Sequence, residues 1–317
     1  MSDENKHTDS DISSSIINLG DLSKPATVLV EKIADAVTGL FRPKQIVRVA
    51  KAEVEAKVIH AKADLQISEL QRRALGRLIE EEARKQLNME QITQKALPQL
   101  VDRARPKDIS NDWLTNFFDK CRNISEEEMQ ALWARVLAGE ANKPGSYSKR
   151  TVNFLTTLDR EEAELFTLFT SLLWRNSSGS YFIFESSAID DFWKFKFHFR
   201  AVAHHLQNIG LLDANTLNYP VSEVLKWEFL YVDEKYRFTG SPPPPVRAGL
   251  IQPLEMIAGV TYLTAIGAQL LQLIDRKKLP GYAEAIMKQL AAELKLGYEK
   301  ITASEGKQLS DPSADSR

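Results

Sequence analysis

A mainly α-helical chain is predicted by three observations. From Pro43 to Leu97 there is no further proline and one glycine, Gly76. Apolar residues recur at helical spacing from Val28 to Trp174, and strand-like runs are confined to the last third. The architecture expected is a long charged N-terminal helical arm, a compact helical module and a small α+β, winged-helix-like C-terminal domain. The boundaries expected are a disordered tail over 1–22, a short amphipathic helix and the arm over 23–106, and the module over 107–176. The α+β domain follows over 177–303, then a second disordered tail over 304–317.

Each element has a local reason. Residues 1–22 combine a serine cluster with Asp3, Glu4, Asp9, Asp11 and Asp21, too polar to offset the entropy of ordering. Ser23-Lys24-Pro25 is a helix start, with proline where an amide would lack a partner anyway. In the arm, Val47, Ala50, Val54, Val58, Ala61 and Leu65 are spaced by three and four, and Leu70, Ala74 and Leu78 continue the stripe. A narrow apolar seam on a highly charged helix suits a coiled coil or a long helical hairpin, with Gly76 or Asn88 as points of interruption.

In the module, Trp113, Leu114, Phe117 and Phe118 form an aromatic helix face. Ser125 and Glu128 have capping-box spacing for a helix that buries Met129, Leu132, Trp133, Val136 and Leu137. Pro144-Gly145 turns the chain, Ser148 starts another helix, and Asp159 with Glu162 caps one that runs to about Trp174.

Beyond it, Tyr181–Phe184 reads as a strand, and 227–232 with 235–239 as a hairpin. Residues 192–200 fit strand period over a short range. Phe192, Phe195, Phe199, Val202, Leu206 and Ile209 fit helix period over a longer one, and the length favours a helix ending at Gly210. Helices are expected around Leu263–Ile274 and Tyr282–Leu296.

Composition narrows the function. Forty-one Lys+Arg against 43 Asp+Glu leave a net charge of −2, which excludes a generally basic nucleic-acid coat. The single cysteine, Cys121, excludes an intramolecular disulfide and a multi-cysteine metal site. The N-terminus has no signal-peptide pattern, so a cytoplasmic protein is expected.

The segment Asn111-Asp112-Trp113, then Ser125 to Gln130, then Leu132-Trp133-Ala134-Arg135-Val136-Leu137-Ala138-Gly139-Glu140 and Lys143 to Ser148 resembles a bacterial family known as domain of unknown function 2806. The resemblance covers about residues 25–275, including Leu263-Thr264-x-x-Gly267-x-x-Leu270. The lead-in, a short apolar helix, Arg42-Pro43 and an alanine- and charge-rich helix, is similar to abortive-infection alpha-type proteins. That second resemblance implies a role in phage defence or in toxicity to the host cell. Neither supplies catalytic residues, and Trp113, Trp133, Gly139, Glu140, Pro144 and Gly145 read as structural.

Chemistry is sparse. His204 and His205 are neighbours that point about 100° apart on a helix, and no acidic or cysteine companion follows at i+3 or i+4. His60 has Asp64 four residues on, a surface pair. Cys121 sits beside an aromatic face that implies burial. Phosphate-binding glycine loops, dinucleotide fingerprints, H-E-x-x-H and G-x-S-x-G are missing from the sequence, so no cofactor and no enzymatic activity are expected.

The function expected is therefore a non-enzymatic interaction component that forms a homo-oligomer or meets a protein partner through a seam including Val47, Val54, Val58 and Leu65. One alternative is a membrane-perturbing effector using the amphipathic helix 25–41 or the uncharged run Met256–Ile274. Another is a nucleic-acid-binding regulator using Lys194, Lys196 and Arg200, with the 227–239 hairpin as a wing.

Overall fold

The computed structural model describes residues 22–37, 68–241 and 257–301, with backbone alone for Ile257 and Ala258. The two expected tails and residues 38–67, with the seam residues Val47, Val54, Val58 and Leu65, lie outside the described residues. The chain divides into two compact units, one ending at Thr157 and the other starting at Leu158.

The first unit is helical: α1 (Lys24–Ala36), α2 (Glu69–Ala96), α3 (Asn111–Cys121), α4 (Glu127–Asn142) and α5 (Lys149–Leu155). Ser23 caps α1 by accepting the Ala26 amide, with Pro25 in the first turn. Leu29 and Ile33, one turn apart, are fully buried as α1 packs on α3 and the 3-10 turn Pro106–Asp108. Trp113 stacks on Phe117, and Phe117 meets Trp133 edge-on at 5.3 Å, so α3 and α4 share one aromatic core. The start of α4 differs from expectation. Its cap is Glu126, with no side-chain cap bond, so the Ser125–Glu128 box does not form.

The second unit holds α6 (Arg160–Thr170), β1 (Trp174–Asn176), β2 (Tyr181–Phe184), α7 (Ile189–Phe192), α8 (Phe199–Asn208), β3 (Leu217–Pro220), α9 (Val221–Val224) and β4 (Glu228–Tyr231). It continues with β5 (Glu234–Thr239), β6 (Ile257–Tyr262), α10 (Ala265–Leu271), α11 (Tyr282–Leu294) and β7 (Gly297–Ile301). The strands form one seven-stranded antiparallel sheet in the order β3-β6-β2-β1-β4-β5-β7.

This sheet overturns the expectation of a mainly α chain ending in a small winged-helix-like domain. The β4–β5 hairpin is no free wing, because β1 and β7 flank it on either side. The expected helix to Trp174 stops at Thr170, and Trp174 opens β1. The expected helix over 192–209 begins only at Phe199, capped by His198, after an irregular stretch from Trp193.

Alternation explains the sheet's two faces. Registers put Trp174, Phe182, Phe184, Phe229, Tyr231, Tyr236 and Phe238 on one face, where all are buried. Their rings meet edge-on, as in Phe182–Phe184 at 5.0 Å and Phe184–Phe229 at 5.2 Å. On the other face Arg175, Lys235 and Arg237 are exposed. The edges carry Pro220 in β3 and Glu299-Lys300 in β7, residues that discourage further strand pairing.

Chain reversals are pinned at two places. Thr264 caps α10 by accepting the Gly267 amide at 3.1 Å and donates to the Gly210 carbonyl at 2.6 Å. A Cβ on Gly267 would lie 2.3 Å from the Leu211 carbonyl oxygen, so only glycine fits there. After α6, the carbonyls of residues 170–173 all receive side-chain donors. Arg276 donates to Thr170 at 3.0 Å and to Leu173, Tyr231 donates to Ser171 at 2.9 Å, and Tyr282 donates to Leu172 at 2.9 Å. Replacing Arg276 by Met removes the side-chain donor from the Leu173 carbonyl and leaves the Thr170 carbonyl with the Leu173 amide at 3.3 Å. We expect a loss of roughly 1–3 kcal/mol in urea unfolding; an unchanged midpoint and slope would sink this account.

Candidate functional site

The described part of the arm, α2, starts with a capping box: the Ser68 hydroxyl accepts the Gln71 amide, and the Gln71 side chain accepts the Ser68 amide at 2.9 Å. Over its 28 residues, about 42 Å at 1.5 Å each, the helix runs unbroken through Gly76 and Asn88. Its buried residues are Asn88, Ile92, Thr93 and Ala96, all in the last third, where it packs on α4. A polar network fixes that packing. Gln130 donates to Gln91 at 2.9 Å and to the Ile124 carbonyl, Lys95 donates to Gln130, and Asn88 donates to the Arg122 carbonyl.

Eighteen residues make five turns at 3.6 residues each. Leu70, Ala74 and Leu78 therefore lie directly above Asn88, Ile92 and Ala96, on the face that α4 covers lower down. Up here none of the described residues covers it: every residue from Ser68 to Glu80 is exposed. Leu70 is 69%, Leu78 53%, Ile79 61% and Leu75 44% exposed. Of the eight exposed large apolar side chains among the described residues, five lie on α2, so the unpartnered surface is concentrated there. Charge is segregated along the same stretch, with Arg72, Arg73 and Arg77 followed by Glu80, Glu81 and Glu82.

The block around Glu140 has a different geometry. Glu140 is buried; its Oε1 accepts the Gly145 amide at 2.7 Å and its Oε2 the Tyr147 amide at 2.9 Å. Burial pushes its carboxyl above the usual range, against the pull of those amides. The Tyr147 carbonyl in turn accepts Trp113 Nε1–H at 2.6 Å. A Cβ on Gly139 would lie 2.7 Å from the Tyr147 ring, and Gly145 has φ +89°. Trp113, Gly139, Glu140 and Gly145 thus converge on the single loop 143–147, with Pro144 inside it and Trp133 fully buried beneath.

The family model described as Protein of unknown function (DUF2806) matches residues 72–287. The chain belongs to this family. No curated protein and no solved structure matches it. The DUF2806 match begins on the free part of α2 and takes in both the Glu140 loop and the sheet.

The remaining candidates of this DUF2806 protein are placed apart. Cys121 is fully buried, and burial pushes its thiol well above the usual range. His204 meets Asn208 at 3.2 Å, whereas His205 meets Glu162 at 3.2 Å, so the two imidazoles do not converge. His60 lies outside the described residues. Lys196 pairs with Glu161 at 3.1 Å and lies 4.6 Å from the Phe197 ring centre. Lys194 shares the irregular stretch before α8, and Arg200 lies in that helix's first turn.

Among the described residues no group of three His, Cys, Asp or Glu could hold a metal ion, and no helix is long and apolar enough to cross a membrane. The uncharged run ending at Ile274 is divided between β6 and α10, with the Thr264 cap between them. Sequence reasoning found the Leu70–Ala74–Leu78 stripe but not its exposure, which depends on where α4 begins.

Two outcomes follow from this geometry. Glu140→Gln replaces one accepting oxygen by a donor facing a backbone amide, and should lower stability by about 1–3 kcal/mol in urea unfolding. Cys121 should resist a disulfide thiol reagent in the native protein and react fully once the chain is unfolded in guanidinium. Rapid native labelling would contradict its burial.

Proposed function

We propose that this protein is an interaction component that self-associates through the free face of α2. The observation that carries the reading is the exposure of Leu70, Leu75, Leu78 and Ile79 on a helix whose lower turns bury the same face. A second copy is the partner that the charges favour. Laid antiparallel, Arg72, Arg73 and Arg77 of one helix face Glu80, Glu81 and Glu82 of the other, and the two-fold axis falls near Leu78. The intrahelical pairs Arg72–Glu69 and Arg77–Glu81 are exposed on both sides and compete only weakly, whereas Glu82 is held by Lys85 at 2.6 Å, which leaves Glu80 and Glu81 as the main acidic partners.

The membrane-acting reading has less support, because α1 already buries Leu29 and Ile33 within its own unit. For the cellular role we propose phage defence, supported by the resemblance of the lead-in sequence to abortive-infection alpha-type proteins.

Sedimentation velocity tests the association. The wild type should reach a dimer at micromolar concentrations, and Leu70→Glu with Leu78→Glu should be monomeric with an unchanged urea midpoint. A monomeric wild type, or a dimeric double variant, would overturn the reading. Oxidation should cross-link Leu78→Cys and not Leu70→Cys; cross-linking of both would mean a parallel pair. Phage plating on cells carrying the wild type, the double variant or neither tests the role, and equal plating on all three would remove it.

A further inference from the structure

We propose that the second unit carries a binding site for a neutral sugar ring, independent of the α2 face. The site is a cleft of about 530 Å³ walled by Tyr219, Trp227 and Tyr262 and rimmed by Asn176 and the serines of the 177–180 turn. Strand register builds it. Tyr262 lies opposite Phe182, which lies opposite Trp174, so Tyr262 shares a face with Asn176, two residues beyond Trp174. Tyr219 lies on that face too, through the pairing of Leu217 with Val260. Trp227 comes one residue before β4 and meets Tyr219 with ring centres 4.6 Å apart. The aromatic core face of the sheet therefore continues past its packed part into an open, half-buried pocket.

The lining chooses the ligand class. None of the seven lining residues is charged. A phosphate or carboxylate would enter without a counter-charge, and an ammonium, which aromatic walls attract, would leave the hydroxyl and amide rim unused. Burial, reinforced by the hydrogen bond to Tyr219, pushes the Tyr262 phenol well up; its hydroxyl already bonds Tyr219 and Asn176, which makes Tyr219 the phenol at the mouth that can turn to a ligand. Asn176 holds the rim in place: its Oδ1 accepts the Ser178 hydroxyl at 2.7 Å and the Ser180 amide at 2.9 Å. Hydroxyls and an amide that both donate and accept match ligand hydroxyls that do the same.

Ring geometry separates a sugar from a nucleobase. Tyr219 and Trp227 stand at 71°, a corner rather than a parallel slot. A flat base gains most between two parallel faces, whereas a sugar ring lays its C–H face on one aromatic wall and turns its hydroxyls to the rim.

The protein contains its own reporter. Of its five tryptophans, Trp113, Trp133, Trp174 and Trp193 are buried, which leaves Trp227 as the accessible one. Tryptophan fluorescence and acrylamide quenching of the full chain would be followed with maltotriose, cellotriose and triacetylchitotriose, and with adenosine and choline as comparators. At least one of the three sugars should give a saturable change and shield the indole from acrylamide. Tyr219→Phe keeps the ring pair and the reporter, and should weaken that binding about tenfold, the loss of one hydrogen bond. Trp227→Ala should abolish it by calorimetry, with far-ultraviolet dichroism checking that both variants fold. No saturable change with any of the sugars at tens of millimolar would overturn the proposal. Saturation by adenosine or choline alone, or undiminished sugar affinity in folded Tyr219→Phe and Trp227→Ala, would overturn it equally.

Discussion

Four consecutive carbonyls, Thr170 to Leu173, are the constraint on which the second unit depends. The end of a helix leaves such groups without partners, and burying them bare is costly. Here Arg276, Tyr231 and Tyr282 give each of the four a side-chain donor, and they come from the segment before α11, from β4 and from α11 itself. Satisfying one helix end therefore fixes where a central strand and the last helix sit. The aromatic core follows, because Trp174 opens β1 directly after these carbonyls and touches Phe184, Tyr231, Tyr236 and Tyr282. Tyr231 links further, accepting the Leu279 amide while its ring packs in the core.

The first unit uses a carboxylate for a similar purpose. Glu140, in the last turns of α4, holds the amides of Gly145 and Tyr147, which turns the chain back so that the Tyr147 carbonyl reaches the Trp113 indole. The close approach of Tyr147 to Gly139 completes the loop without added bulk. With α3, α4 and this loop locked together, α2 needs only its last third to be anchored. Its first turns can then extend beyond α4, held as helix by the Ser68 cap and its own backbone bonds.

Most of what could be read from the sequence is decided within four residues, although the equally local Ser125–Glu128 box does not form. The Ser23, Ser148 and Asp159 caps belong to that class, because the capping oxygen and its amide are neighbours in the chain. The sheet was not readable in that way. β1 has three residues, β3 contains Asn218 and Pro220, and β7 carries Glu299 and Lys300. Such segments become strands through partners far along the chain, as when β5 pairs with β7 across some sixty residues.

The helix period that runs from Phe192 through Phe195 misled for the opposite reason. It is local, yet the helix begins only at Phe199, whose ring stacks on Phe169 of α6 at 5.7 Å. The cleft residues, too, come from the ends of separate strands, and no spacing in the chain marks them as neighbours.

The short reach of the free α2 face has a quantitative consequence. A contact limited to Leu70–Ile79 spans about three turns, well below the roughly 1,200–2,000 Å² of a lasting complex. If chains pair through this face as proposed, pairing of that size is reversible, and the fraction of paired chains follows the copy number of the protein in the cell. Expression level would then be an input in its own right, and a rise in synthesis or a local crowding of molecules would change the assembly without any ligand or modification.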